Sequence, residues 1–145
     1  MLPKTHFIFG LIFALIIFYL FPQINLTGFF IILMSSFLID IDHYLLYIII
    51  KRDFNLKKSH KWFVDKRNYA LTLPKEKRRK LNPFPCIFHG FETTAILILL
   101  SFVSVIFFYI LLGFLFHELL DGIYAVYYSF PLSHLGSQII NVLRY

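Results

Sequence analysis

The sequence predicts an all-α integral membrane protein, with about four transmembrane helices in one bundle and a single basic loop. Two observations carry that reading. Of 145 residues, 59% are hydrophobic and only 15% charged, whereas a soluble domain of average composition is about a quarter charged. The charge is also segregated. Twelve basic residues and three acids lie between Lys51 and Pro83, a surplus of nine, while the rest of the chain holds Lys4, Arg144 and five acids.

The elements follow from the apolar runs. Phe7 to Phe21 is uninterrupted and closed by Pro22; Phe-Pro-Gln offers no small-residue cleavage site, so a retained first helix over about 6–21 is expected rather than a signal peptide. Gly28 to Ile50 is long enough to cross ~30 Å of hydrocarbon at ~1.5 Å per residue, giving a second helix over 28–50. Residues 51–83 form the basic loop. Asn82-Pro83-Phe84-Pro85 marks re-entry, because proline keeps the preceding chain out of helix.

From Phe91 to Phe130 the chain is apolar apart from Glu92, His117, Glu118 and Asp121. One span holds at most about 25 residues, so two helices are expected, over about 87–105 and 108–128. Ser101, Ser104 and Gly113 are all candidates for the turn between them. Leu132 to Tyr145 reads as a short tail. The positive-inside rule then places the N-terminus, the basic loop and the C-terminus in the cytoplasm of a multi-pass cell-membrane protein. The loop's charge suits anionic head groups. Orientation already accounts for it, so nucleic acid is not expected as a partner.

Ionisable groups within apolar segments are expensive, about 2.5–3.5 kcal/mol each at the bilayer centre on insertion scales. In Asp40-Ile41-Asp42-His43, a helix puts Asp40 and His43 on one face and Asp42 on nearly the opposite one. Asp42 then reaches an ion only if the helix unwinds, and otherwise supports another ligand from behind. The alternative is a helix end solvated at the interface. His89 and Glu92, three apart at a helix start, share a face in the spacing of metal sites in bundles; a Glu favoured by the helix dipole is the plainer account. His117 and Asp121 are one turn apart, with Glu118 at the edge of their face. His6 precedes the first helix, where an interfacial role is the simpler expectation.

His, Asp and Glu together are the ligand set of zinc, manganese or iron, and the single cysteine, Cys86, argues against a thiolate cage. A common site requires His117 to Asp121 to lie at the same end as His6, Asp40 and His89. That holds only if the hairpin turns near residues 101–108; a turn at Gly113 would send His117 to the wrong leaflet.

Thr5-His6, Asp40-Ile41-Asp42-His43, His89-Gly90-Phe91-Glu92 and His117-x-x-x-Asp121 together resemble the metal-dependent hydrolases of the inner membrane, sometimes called LexA-binding membrane-associated hydrolases. Two departures stand out: Ile39 occupies the place of a proline before the first Asp, and His89-Gly90-Phe91-Glu92 replaces a His-Arg-Gly-x-Thr-His element. The resemblance implies phosphoester chemistry. On this reading His6, Asp40, Asp42, His43, His89, His117 and Asp121 gather one or two divalent ions, zinc first. Glu92 or Glu118 is then the general base, acting on a lipid-like phosphoester at the interface. The alternative is a non-enzymatic protein whose buried cluster forms an ion or proton path or a structural polar network.

Overall fold

The structure, a computed structural model, describes residues 2–82, 86 and 88–144; the expected proline-rich re-entry at Pro83, Phe84 and Pro85 lies outside them. Among the described residues the chain is helical throughout, without strands. Eight α-helices follow in order: α1 Pro3–Leu20, α2 Leu26–Leu38, α3 Ile41–Lys51, α4 Leu56–Thr72, α5 Lys75–Arg78, α6 Phe91–Ser101, α7 Val105–Tyr128 and α8 Gln138–Arg144. Three stretches are long and apolar enough to cross a membrane: Pro3–Leu20, Leu26–Lys51 and Val105–Tyr128. Their outer faces agree, since Ile8, Phe9, Ile12, Leu15 and Ile16 of α1 are all more than 40% exposed. An apolar belt of that size requires lipid rather than water.

The inner faces are lined by small residues, which lets backbones approach closely. Gly10 of α1 abuts Ser36, Gly113 of α7 abuts Ser35, and Gly28 of α2 abuts the Tyr109 ring. These contacts fix the directions of the helices. Along α2 and α7, Gly28 meets Tyr109 and Ser35 meets Gly113, so the two run parallel, while α1 runs antiparallel to both. Ala14, Ile24, Phe29, Ile32, Leu33 and Tyr109 fill the space between them.

Four features depart from the sequence reading. The second helix is not continuous: Ile39 and Asp40 form a turn between α2 and α3, with Asp42 N bonding back only three residues to Ile39 O at 3.3 Å. The expected span over 87–105 shrinks to the 11 residues of α6, about 16 Å of helix and too short to cross ~30 Å. It is bounded below by Gly90, whose φ of +93° interrupts the helix, and above by a turn over 102–104 that Ser104 closes by accepting from Ile106 N. The hairpin therefore turns within the window that a common site requires.

The basic loop, third, contains a 17-residue helix, α4. Asn55 caps it by accepting from Lys58 N at 3.1 Å. Ser59, Trp62, Phe63, Arg67 and Ala70 turn inward at helical spacing, while Lys57, Lys61, Asp65 and Asn68 face out. Aromatic contacts hold α4 to α3 (Tyr47 on Trp62, His43 on Phe63), and Lys58 bonds Asp53 at 3.0 Å. That bond holds the Asp53 carboxyl below the usual carboxylate range. Arg67 donates to the Tyr124 hydroxyl and Arg78 to the Tyr128 carbonyl, strapping α4 and α5 across the end of α7. Finally, the expected tail folds into a 3₁₀ turn, Leu132–Leu135, and α8.

Candidate metal centre

Four elements converge at one end of the bundle: the start of α1, the α2–α3 break, the segment before α6, and the second half of α7. They bring His6, Asp40, Asp42, His89, His117 and Asp121 together, each no more than 7% exposed. Half-buried His43 joins at the edge.

The innermost atoms form a cage. His89 Nε2 and His117 Nε2 stand 3.0 Å apart. From His117 Nε2 the distances to Asp40 Oδ1 and Asp121 Oδ2 are 3.8 and 3.6 Å; from His89 Nε2 they are 3.9 and 4.0 Å. Ligands about 2.0–2.1 Å from a tetrahedral zinc lie about 3.4 Å from one another, and the separations around the two Nε2 atoms, 3.0 to 4.0 Å, bracket that value.

The tautomers sharpen the point. His117 Nδ1 donates to the Ser36 carbonyl at 2.9 Å, and His89 Nδ1 donates to Asp42 Oδ2 at 2.8 Å. With both outer N–H groups so used, each neutral ring presents an Nε2 lone pair to the other. Two lone pairs at 3.0 Å repel unless a proton or a metal ion sits between them. Among the described residues both oxygens of Asp40 are buried without a hydrogen-bond partner, and Asp40 and Asp42 form ion pairs only with histidines. Buried carboxylates in that state need a positive partner close by, a protonated histidine or a metal cation. Burial lowers the His89 pKa, but its bond to Asp42 and the nearby carboxylates outweigh this and raise it to about 9. The donor set therefore fits a divalent ion, and further groupings lie alongside it: His6 with Asp40 and His117, and Asp40 with His43 and His89.

Each expected residue has a definite place. Asp42 does not point into the cage; its Oδ2 accepts from His89 Nδ1 and Phe88 N and so aims the His89 ring, the supporting position typical of metal-bound histidines. His6 stacks on the His117 ring at 4.0 Å and meets Asp121 Oδ1 at 3.1 Å. Glu118 accepts from Gly90 N at 3.3 Å, steadying the turn that carries His89. Glu92 is not brought into the cluster. Its carboxylate accepts from Ser137 Oγ, Gln138 N and Ile139 N, capping the start of α8, because helix N-termini carry unpaired amides that attract carboxylates.

Beside the cage lies a cavity of about 340 Å³, with Asp40, His43, His89 and Asp121 on its floor. Phe63, Val64, Ala70 and Phe130 give it apolar walls, and Lys66, Arg67 and His60 of α4 bring cationic and polar groups to it. Sequence reasoning missed this cover. The signal was present in the spacing of Ser59, Trp62, Phe63, Arg67 and Ala70, but the lysine density obscured it. Comparison of the chain with family models, curated proteins and solved structures returns no match.

Proposed function

We propose that the protein is a membrane-embedded, metal-dependent hydrolase of phosphoesters carried by lipid-like molecules, belonging with the inner-membrane hydrolases its motifs resemble. The observation that carries the reading is the pair of facing Nε2 atoms between two carboxylates, opening onto a cavity that joins apolar walls to two cations. Asp40, His89, His117 and Asp121 would hold the ion, zinc best suiting two imidazoles and two carboxylates, with manganese and iron as alternatives. When bound, the ion supplies an acidified water and polarises a phosphoryl oxygen.

The chain's own groups do the rest. Asp40 Oδ2, without a hydrogen-bond partner, takes the proton of the attacking water. As the water oxygen bonds to phosphorus, the P–O bond to the alcohol breaks and that proton passes to the departing oxygen. Arg67 and Lys66 balance the phosphate charge from above, and the apolar walls receive the alkyl portion. Glu118 serves by holding the backbone beside His89 rather than as the base. Sidedness follows from the charge of α4 and α5: they lie at the cytoplasmic face of the cell membrane, against anionic head groups.

The raised His89 pKa favours a second reading, in which a proton shared between His89 and His117 makes the cluster a non-enzymatic polar network or proton path. The purified protein, loaded with zinc, manganese or iron in turn, should release phosphate or phosphoalcohol from short-chain phospholipids and aryl phosphodiesters, and Asp40→Ala should abolish turnover. Bound metal with no turnover of any phosphoester would refute the hydrolase assignment.

A further inference from the structure

We propose a second cation site beside the cage, formed by Asp42 Oδ1, His43 Nδ1 and Cys86 Sγ. The three residues come from the α3 start and from the segment before α6, and each offers a ligand atom within 4.8 Å of the others. Cys86 Sγ lies 3.0 Å from His43 Nδ1, and Asp42 Oδ1 lies 3.7 Å from that same nitrogen. Asp42 is 4% exposed, and while its Oδ2 aims His89, its Oδ1 is buried with no hydrogen-bond partner among the described residues. That oxygen is an acceptor within reach of both the histidine and the thiol.

The tautomer is consistent with this assignment. His43 Nε2 faces Asp40 Oδ1 at 3.6 Å; with the proton on Nε2, the Nδ1 lone pair points to Cys86, the carboxylate–histidine–metal arrangement common at metal sites. Bonds of about 2.3 Å to sulfur and 2.0–2.1 Å to nitrogen imply an S···N separation of about 3.6 Å. The observed pair need open by only about half an ångström on ion entry. Cys86 is 4% exposed and His43 and Cys86 both line the cavity, so three protein ligands leave the fourth position open to it, the pattern of a catalytic rather than a structural ion. A thiolate in the set favours zinc or cobalt over manganese. The site shares with the hydrolase reading only the premise that this cluster holds divalent metal.

Cobalt(II) separates the two claims, because a thiolate ligand adds a charge-transfer band in the near ultraviolet to the visible d–d absorption. The metal-free full-length protein, purified in detergent, is titrated with cobalt(II) beside Cys86→Ser, with Cys86→Ala as a second variant should the serine form not be recovered folded. The expected result is two ions per chain and a near-ultraviolet band in the parent, falling to one ion and no such band in the variant while visible absorption persists. Visible absorption in the parent without the near-ultraviolet band would overturn the second site and leave the cage standing. So would a band that survives loss of the chain's single thiol. No cobalt absorption at all would overturn both sites together.

Discussion

Replacing Gly113 by alanine tests whether the close approach of α7 to α2 builds the candidate metal centre. In a helix interior alanine is ordinarily favoured over glycine by about 0.5–1 kcal/mol, so helix propensity alone predicts a more stable protein. The packing predicts the opposite. A Cβ at position 113 would overlap Ser35 Oγ and the Ile32 carbonyl and stand 3.0 Å from Ser36 N. The serine hydroxyl can rotate away, but the other two atoms are backbone in the middle of α2.

Overpacking of this kind costs about 1–3 kcal/mol, which after the propensity gain leaves a net destabilisation of about 1 kcal/mol. The effect reaches the site, because His117 Nδ1 donates to the Ser36 carbonyl one turn further on. A displaced α7 lengthens that bond and weakens metal retention in parallel. Gly122, on the same helix, is the control: a Cβ there meets only Leu135 Cδ1, at 3.3 Å, a side chain end that can move. Unfolding in mixed detergent micelles, followed by circular dichroism, should show Gly113→Ala less stable than the parent and Gly122→Ala unchanged or more stable. If Gly113→Ala matches Gly122→Ala, the packing argument is refuted.

Glu92→Gln should leave metal content unchanged, since Glu92 stands outside the cluster; it should loosen α8 and raise proteolysis after about residue 130, read by limited digestion and mass spectrometry. A loss of metal in this variant would return Glu92 to the site. Metal binding near neutral pH should release protons: with His89 at about 9, the metal-free site holds a proton that the ion must displace. Apparent affinity should therefore rise with pH up to about 9 and level off above it. Calorimetry in two buffers of different ionisation enthalpy measures the release, and a buffer-independent heat would contradict it.

Most of the residues that cluster in the structure were legible in the sequence, and less of the fold that assembles them. Buried His and Asp in apolar segments are conspicuous because hydrocarbon penalises them, so Asp40, His117 and Asp121 could be picked out one at a time, whereas His89 rested on its spacing to Glu92 and His6, before the first helix, had an interfacial role as the simpler expectation. The 3.6-residue period of a continuous helix separated Asp42 from Asp40; in the structure the helix breaks at Ile39 and Asp40, and Asp42 Oδ2 stands behind the His89 ring. Glu92 was misjudged because helical spacing shows which residues share a face but not what the face meets, here the amides of α8. Helix α4 was read as loop because its cations come from every side while its inward stripe mixes Ser59 and Arg67 with aromatics. The truncation of α6 rests on the turn over 102–104 at one end and, at the other, on the positive φ of Gly90, which a sequence records only as a glycine. Cys86, as the single cysteine, argued against a thiolate cage, and only the fold brings it to His43.

The most direct test of the metal centre is the metal content of the detergent-purified protein, measured by mass spectrometry beside His117→Ala and Asp40→Ala. Asp40 and His117 come from the α2–α3 break and from α7, and their ligand atoms lie 3.8 Å apart. Stoichiometric metal in the parent, reduced in both variants, is the predicted result. No metal above background in the parent, after reloading with zinc, manganese and iron, would contradict the metal centre and leave a proton shared between His89 and His117 as the account of their 3.0 Å approach.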